Sequence, residues 1–569
     1  MTQVTRAAIL RGVSRQPYRT SFYRRLAVLL PLAVLLYATL AGLVLADNAA
    51  NRGVTYTPGA QPIAWADVPQ LGVNLYGIQN EADPANVTRT LEMARDLGAR
   101  FARIQMPWED VEIHARGDFE DRRDPAAPKS AWQKYDFILA EAARMGIAPI
   151  VRLDRPPAWA RQRALATPEF QARKAVNGAA TGPPDDYADY AHFVGAVVRH
   201  YKGQLCFIQI WNEPNLMDEW NGQRPSPSEF LALLKAAYQS AKAADPAVVV
   251  LFPSLSPTDG LDVTAPYTDL DFLDEIYTLG GAPFFDIMSA QAYGLGQPPD
   301  EHRYIRPRTD SWRRPIDSRI DVSRVVLLRE VMEQHGDAGK AIWISEFGYV
   351  VDSPAIPAEK RFTWGAPVTP TQQAEYTIGQ LERARREWPW LGVMNVWFLR
   401  WGGPPPDPRD PTQLFALVTR DYQPTPAYTA LQAYMAHGAV AGPGAHAWNH
   451  PAVQAGPGAQ AWTIRFTGAS LALRGAPGPI EFAFDGGTAQ QRNPDPEGGP
   501  VTLAAGLPDG EHTVTLRIPN GAPALFLVGR AQPLAWLWVI APVVLLLGLA
   551  AVGTLSVSRQ TRKVASFLA

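Results

Sequence analysis

Apolar positions through the middle of the chain follow two rhythms that take turns. Short apolar runs rich in β-branched residues, closed by polar or turn residues, have the pattern of buried strands, and the segments between them repeat apolar residues at helical spacing. Strands are predicted over residues 71–77, 101–108, 147–154, 207–215, 248–254, 284–294, 341–349 and 391–401. Helical faces lie between them, first Val87, Leu91, Ala94 and Leu97, then 135–145, 187–201, 229–244, 272–277, 325–334, 372–386 and 428–435. Gly98, Gly146 and Gly203 stand where three of these helices should end. Eight strands alternating with helices predict a parallel (β/α)8 barrel with its helices outside. Barrels of this kind carry their chemistry at the carboxyl ends of the strands. The run FIQIWNEPN, Phe207 to Asn215, places Asn212 and Glu213 where its apolar pattern stops.

Beyond residue 437 the rhythm changes. A stretch rich in Gly, Ala and Pro runs to about Gly458, and then WTIRFTG (Trp462 to Gly468), ASLALRG (Ala469 to Gly475), IEFAFDGG (Ile480 to Gly487) and EHTVTLRI (Glu511 to Ile518) alternate apolar and polar positions. Turn signals at Asp485-Gly486 and Asp509-Gly510 separate them, which predicts a small all-β sandwich.

Both ends of the chain are apolar in a different way. Leu26 to Ala46 carries no charge and is long enough to cross a bilayer of about 30 Å, and Arg6, Arg11, Arg15, Arg19, Arg24 and Arg25 precede it. A second uncharged stretch including Leu534 to Leu555 is followed by Arg559, Arg562 and Lys563. Basic flanks at both ends place both termini in the cytoplasm and the intervening chain outside a bacterial-type plasma membrane. A cleaved leader is the competing reading of the first stretch, given the small residues around Ala46 to Ala50, but its length favours an anchor. The expected division is a basic segment 1–25, a span 26–46, a linker 47–68, a barrel 69–437, a β-sandwich 438–530, a span 533–556 and a tail 557–569.

Composition adds little to this. A chain that is 47% hydrophobic and 19% charged is a folded protein, and a net charge of −2 gives no reason to expect a nucleic-acid partner. The single cysteine, Cys206, excludes an intrachain disulfide and reads as a small core hydrophobe. The nine histidines show no metal-binding spacing, so neither a metal nor a cofactor is expected.

Glu213 at the end of the fourth strand and Glu346 at the end of the seventh would open on one face, across the barrel mouth from each other. Hydrolysis of a glycosidic bond with retention needs two such carboxyl groups, about 5 to 5.5 Å apart, one a proton donor and one a nucleophile. Cys206 to Asn215 and Ile342 to Tyr349, with the strand-helix rhythm between them, resemble the clan of retaining (β/α)8 glycoside hydrolases that includes cellulase-like, β-xylosidase-like and α-L-iduronidase-like families. The resemblance spans about Leu71 to Met435. It implies that Glu213 is the acid/base, Asn212 a ligand of the sugar 2-hydroxyl, Glu346 the nucleophile and Arg103 its support, that Tyr293 is the clan's strand-six tyrosine, and that Trp397 floors the sugar site. One position departs from the clan: many members have a histidine where Gln291 stands.

Trp108 at the end of the second strand is a further candidate for substrate stacking, as are Trp159, Trp220, Trp364 and Trp401, and Asn74, Glu109, Arg152 and Asp154 are weaker candidates for polar contacts. The segment 297–318, too long for a turn, is predicted to rim the mouth. The β-sandwich is similar to jelly-roll accessory modules of carbohydrate enzymes, with Trp448 and Trp462 as its stacking candidates, and a spacer role is the alternative. These readings converge on a membrane-anchored, outward-facing retaining glycoside hydrolase acting on an oligo- or polysaccharide of the envelope or exterior. The alternatives are a catalytically silent glycan-binding or envelope-organising barrel, or a transglycosylase using the same residues.

Overall fold

A computed structural model describes residues 70–177, 181–260, 262–300, 320–456 and 458–531 without a break, together with 58–59, 61–66 and parts of 27–46 and 536–550. The predicted strands form, shorter than their apolar runs: β1 Gln70–Asn74, β2 Phe101–Pro107, β3 Ala148–Asp154, β4 Phe207–Ile210, β5 Val249–Leu251, β6 Met288–Gln291, β7 Ile342–Phe347 and β8 Leu391–Val396. The helices that follow them are α1 Pro84–Asp96, α2 Gln133–Arg144, α3 Tyr187–His200, α4 Pro227–Ala244, α5 Asp269–Thr278, α6 Arg324–Gln334, α7 Pro370–Glu387 and α8 Pro426–Ala436. Sequence explains where several begin. Asp83, Asp186, Ser226, Thr268, Thr369 and Thr425 each cap a free backbone N–H of the helix they precede, and Thr369 with Gln372 completes a capping box.

The sheet order is β5-β4-β3-β2-β1-β8-β7-β6, every pair parallel. A parallel bridge between Leu251 and Ile287 joins the two edges and closes the barrel. Alternation along each strand sorts its residues. Ala102, Ile104 and Met106 of β2, Val151 and Leu153 of β3, and Ile208 and Ile210 of β4 belong to the large core under the helices. The opposite positions begin apolar: Phe207, Val249, Trp343 and Val393 form a second cluster with Phe101 packed on it. Phe101, Phe207 and Trp343 meet ring to ring at 4.9 to 5.9 Å, an aromatic plug in the amino-terminal end of the barrel. Further along the same faces come Arg103 and Gln209. The interior is therefore apolar at the floor and polar at the mouth.

Seven antiparallel strands follow: β9 Gly444–Ala447, β10 Val453–Ala455, β11 Ala461–Arg474, β12 Ile480–Phe484, β13 Gln490–Arg492, β14 Val501–Arg517 and β15 Leu525–Gly529. The two runs predicted at 462–468 and 469–475 are one long strand, and Asp509-Gly510 lies inside β14 rather than ending a strand. Along β11 the buried positions change from even (Ile464, Phe466) to odd (Leu471, Leu473), and the register against β14 shifts between Gly468 and Ser470. That irregularity lets one strand serve both halves of a folded sheet around a core of its own, Ile464, Phe466, Leu471, Phe482, Val514 and Phe526 among its members.

Cys206 is exposed rather than part of the core: it stands one residue ahead of β4, between the buried Leu205 and Phe207. The described residues of 27–46 and 536–550 are helical, and among the described residues no helix is long and apolar enough to cross a membrane, so the two expected spans have no support from the structure. Of the expected rim segment 297–318, residues 301–318 lie outside the described residues.

Candidate active site

Arg103 is the centre of the mouth. It is only 4% exposed, and an unpaired guanidinium at that depth would carry a severe desolvation cost. Four bonds offset it. Its Nη1 donates to Asn74 Oδ1 at 2.9 Å and to Glu346 Oε1 at 2.8 Å, its Nε to Gln209 Oε1 at 2.9 Å, and its Nη2 to Asn212 Oδ1 at 3.1 Å. Asn74 is held in turn by donating to the carbonyls of Ser345 and Val396. One side chain from β2 thereby ties together β1, β4 and β7.

Glu346 reaches this position through an irregularity. Trp343 faces the floor cluster and Ile344 the outer core, so strict alternation would turn Glu346 outward. The register of β7 against β6 shifts between the pairs Ala290–Ile344 and Gln291–Glu346, and against β8 it shifts on both sides of Met394–Ile344. The bulge re-aims the carboxylate into the mouth. There Oε1 accepts from Arg103 and Oε2 accepts from the Tyr293 hydroxyl at 2.8 Å. Burial first and then the charge of Glu346 hold that phenol well above its usual pKa, so it stays a donor.

Glu213 lies just past β4, where the backbone leaves extended geometry. Trp211 has φ 65° and Glu213 φ 40°, both in the left-handed region that side chains disfavour. The turn is held by Trp211 N–H donating to the Leu153 carbonyl, Glu213 N–H to that of Ser254, both at 3.0 Å, and the Gln209 amide to that of Trp211 at 2.9 Å. The carboxyl accepts from Gln291 Nε2 at 2.7 Å on one oxygen and from Asn212 Nδ2 at 3.1 Å on the other. Burial, followed by the charge of Glu346, pushes Glu213 up to about 7. The site thus pairs a carboxylate held by a cation and a phenol with a carboxyl pushed toward neutrality, the division of labour an acid and a nucleophile require.

The other predicted residues divide. Trp397 is half-buried at the mouth, edge-on to Tyr76 at 5.4 Å, and lines a small pocket of about 30 Å³ with Tyr76, Arg103 and Arg152. Tyr76 also packs on Phe398 and Trp401. Arg152 donates to Asn212 Oδ1 at 3.3 Å and pairs with Asp154 at 2.8 Å, and Glu109 pairs instead with Arg155, just past β3, at 2.8 Å. Trp108 does not belong to the site. After β2 the chain enters a short 3-10 turn, Trp108–Asp110, that swings the ring into the helix layer, where it is 0% exposed, stacks on Phe193 and donates to Glu112. No face is left for a sugar. Trp159 packs on Trp108 and Trp220 is buried, whereas Trp364 lies 5.8 Å from Tyr293. Trp448 and Trp462 pack edge to face against each other over the core of the antiparallel domain.

Gln209 and Glu219 are absent from the sequence-based candidates. A polar residue inside FIQI was the signal for Gln209. Glu219, in the 3-10 turn Met217–Glu219, is half-buried overall, yet its Oε2 is cut off from solvent without a partner, and burial followed by Asp154 and Glu213 pushes its pKa up to about 8. Among the described residues no group of three or more His, Cys, Asp or Glu could hold a metal.

No protein-family model matches the chain, and no curated protein matches it. Among solved structures it is similar to a family 39 glycoside hydrolase from the gut symbiont Bacteroides cellulosilyticus WH2, at 16% identity over 80% of this chain and 82% of that one, with a TM-score of 0.48. It is also similar to a GH39 β-xylosidase from Caulobacter crescentus, at 16% identity over 81% and 98% of the chains with a TM-score of 0.41. A GH5_18 protein from Streptomyces cattleya, in complex with Manβ1-4GlcNAc, aligns at 15% identity over 65% and 80% with a TM-score of 0.43. At these identities and scores the likenesses carry no weight, and the barrel and its site stand on strand order and side-chain geometry.

Proposed function

We propose that the barrel is a retaining glycoside hydrolase acting on an oligo- or polysaccharide, with Glu346 as nucleophile and Glu213 as acid/base. The observation that carries this reading is the asymmetry of the two carboxyl groups: Glu346 accepts from Arg103 and Tyr293, while Glu213 is raised and accepts from neutral amides. In the first step a Glu346 oxygen bonds to the anomeric carbon as the glycosidic bond breaks, and Glu213 gives its proton to the departing oxygen. In the second, Glu213 takes a proton from water, the water oxygen bonds to the anomeric carbon, and the ester to Glu346 breaks. Arg103 and Tyr293 orient the nucleophile, and their bonds to it weaken as its negative charge is lost on forming the ester. The Asn212 amide, beside Glu213 and held by Arg103 and Arg152, is placed for the sugar 2-hydroxyl.

The test is hydrolysis of aryl glycosides by the full chain. Glu213→Ala should lose roughly 10²- to 10⁴-fold in rate and regain part of it with azide, and Glu346→Ala should be inactive without rescue by azide in that manner. Activity that survives both substitutions would sink the assignment and return the barrel to a binding role.

We further propose, from the apolar and basic pattern of the two ends alone, that the chain is anchored in a membrane with the barrel outside and both termini in the cytoplasm. Protease added to intact cells should then remove the barrel while sparing an amino-terminal tag, and full recovery of the chain in the salt-washed soluble fraction would refute it.

A further inference from the structure

A cavity of about 1070 Å³ lies far from the mouth, under the amino-terminal end of the barrel. Leu71 at the start of β1, with Arg100 and Gly146 in the connections into β2 and β3, forms one side. Glu382 and Arg385 of α7 form another, and His450, Arg465 and Glu511 of the antiparallel domain close it. It shares no lining residue with the small pocket at the mouth. Its walls are tied together. Arg465 donates to the His437 carbonyl and, through Nε at 3.2 Å, to Glu511, which lies 3.8 Å from Arg385, whose Nη2 donates to Glu382 at 2.6 Å.

Two features of the wall point to the chemistry of an occupant. Arg95, Arg100, Arg385 and Arg465 line it against two acids, Glu382 and Glu511, and the exposed Arg100 side chain has no ion pair or hydrogen bond among the described residues. The unmet hydrogen-bonding groups of the lining residues are all donors. Arg385 Nε and His450 Nε2 are buried without an acceptor, and His450 carries its proton on Nε2 because Nδ1 accepts from the Ala452 N–H at 3.0 Å. Each such donor is costly to leave unpaired. The cations of the wall outnumber its acids, and its unmet groups are donors.

We propose that this cavity is an anion site, taking a small organic molecule with a carboxylate, sulfate or phosphate group. Arg100 supplies the free cation, and Met145 and Met435 offer an apolar surface to the carbon skeleton. Cavities of this size at the boundary between folded layers are the usual place for such ligands. The site is independent of the glycosidase reading.

Calorimetric titration of the full chain at low salt with inorganic phosphate, sulfate, glucuronate and neutral glucose tests it. At least one anion should bind saturably with one site per chain, glucose should not, and Arg100→Glu should weaken the anion about tenfold or more. Hydrogen exchange should slow at residues 98–100 and 437–440 on binding. Because Arg100 is exposed, Arg100→Glu should melt like the parent without ligand, and Arg100→Ala should show an intermediate loss at the same melting temperature. Absence of saturable binding by all three anions overturns the proposal. So does glucose binding as well as glucuronate, or unchanged binding by Arg100→Glu, which would put the anion elsewhere, such as beside Arg152 at the mouth.

Discussion

Gln291 sits 2.7 Å from the proposed proton donor and cannot titrate. Its amide stabilises the ionised form of Glu213 without adding a charge that changes with pH, so the alkaline limb of activity should follow Glu213 itself and fall as pH rises through about 7. Replacing it with histidine would add a cation below the histidine pKa, favour ionised Glu213 and move that limb to lower pH, which a kcat/KM profile reads directly. Tyr293→Phe removes one charge-assisted bond to Glu346 and should lower kcat roughly 10- to 100-fold with the fold intact. Glu219 offers a stability test. Its folded pKa is raised, so the native state keeps a proton that the unfolded chain releases above the ordinary carboxylate range. The contribution is fully present below about 4.5 and is lost as pH rises through about 8. Glu219→Gln should therefore melt higher than the parent at pH 9, by about 1–3 kcal/mol in stability, and not at pH 5.

At this scale the sequence is legible where alternation alone fixes a side chain. Arg103 follows Phe101 by two positions and so points where expected, and Gln209 follows Phe207 in the same way. Trp108 is misread because the strand ends one residue earlier and the 3-10 turn rotates it into the helix layer.

Elements were legible in type and order because apolar period and helix caps agree. Their irregularities were not. Nothing in IWISEF announces the bulge that turns Glu346 inward, since it arises from pairing with β6 and β8, which are distant in sequence. The same holds for β11, whose change of buried parity depends on β14 and β15. Gly442 shows what fixes the junction between α7 and the antiparallel domain. A Cβ there would overlap the Arg385 carbonyl. Gly442→Ala should cost about 1–3 kcal/mol and loosen that domain first, seen as faster hydrogen exchange in β9 and β15 with β1 to β8 unchanged.

The barrel and the antiparallel domain are packed around cores of their own, with different sensitivities. In the antiparallel domain His446 and His450 are buried with rings 4.8 Å apart. Burial depresses both, His446 to about 4 and His450 well below its usual value, with the neighbouring ring adding to the second. A depressed base contributes stability above its unfolded pKa near 6.5 and loses it as pH falls toward the folded value. The domain should therefore weaken between about pH 6.5 and 4, and His446→Gln should flatten that loss in a melting-temperature series.

The barrel's edges meet at one place with few bonds. Between β5 and β6 the ladder shrinks to the bridge of Leu251 with Ile287, made by the Phe252 N–H donating to the Ile287 carbonyl at 2.9 Å and the Asp286 N–H to that of Val250 at 2.8 Å, and the Asp286 carboxylate adds to it by accepting from the Val250 N–H at 2.8 Å and from Lys242 at 2.7 Å. The zipper of the cylinder is here, and the guanidinium of Arg103 is its latch, since it spans three strands that share a fixed spacing only while the ring is shut. Turnover then works as a gauge of closure. In a denaturant series it should vanish before helical circular dichroism does, and Asp286→Asn should widen the gap between the two curves.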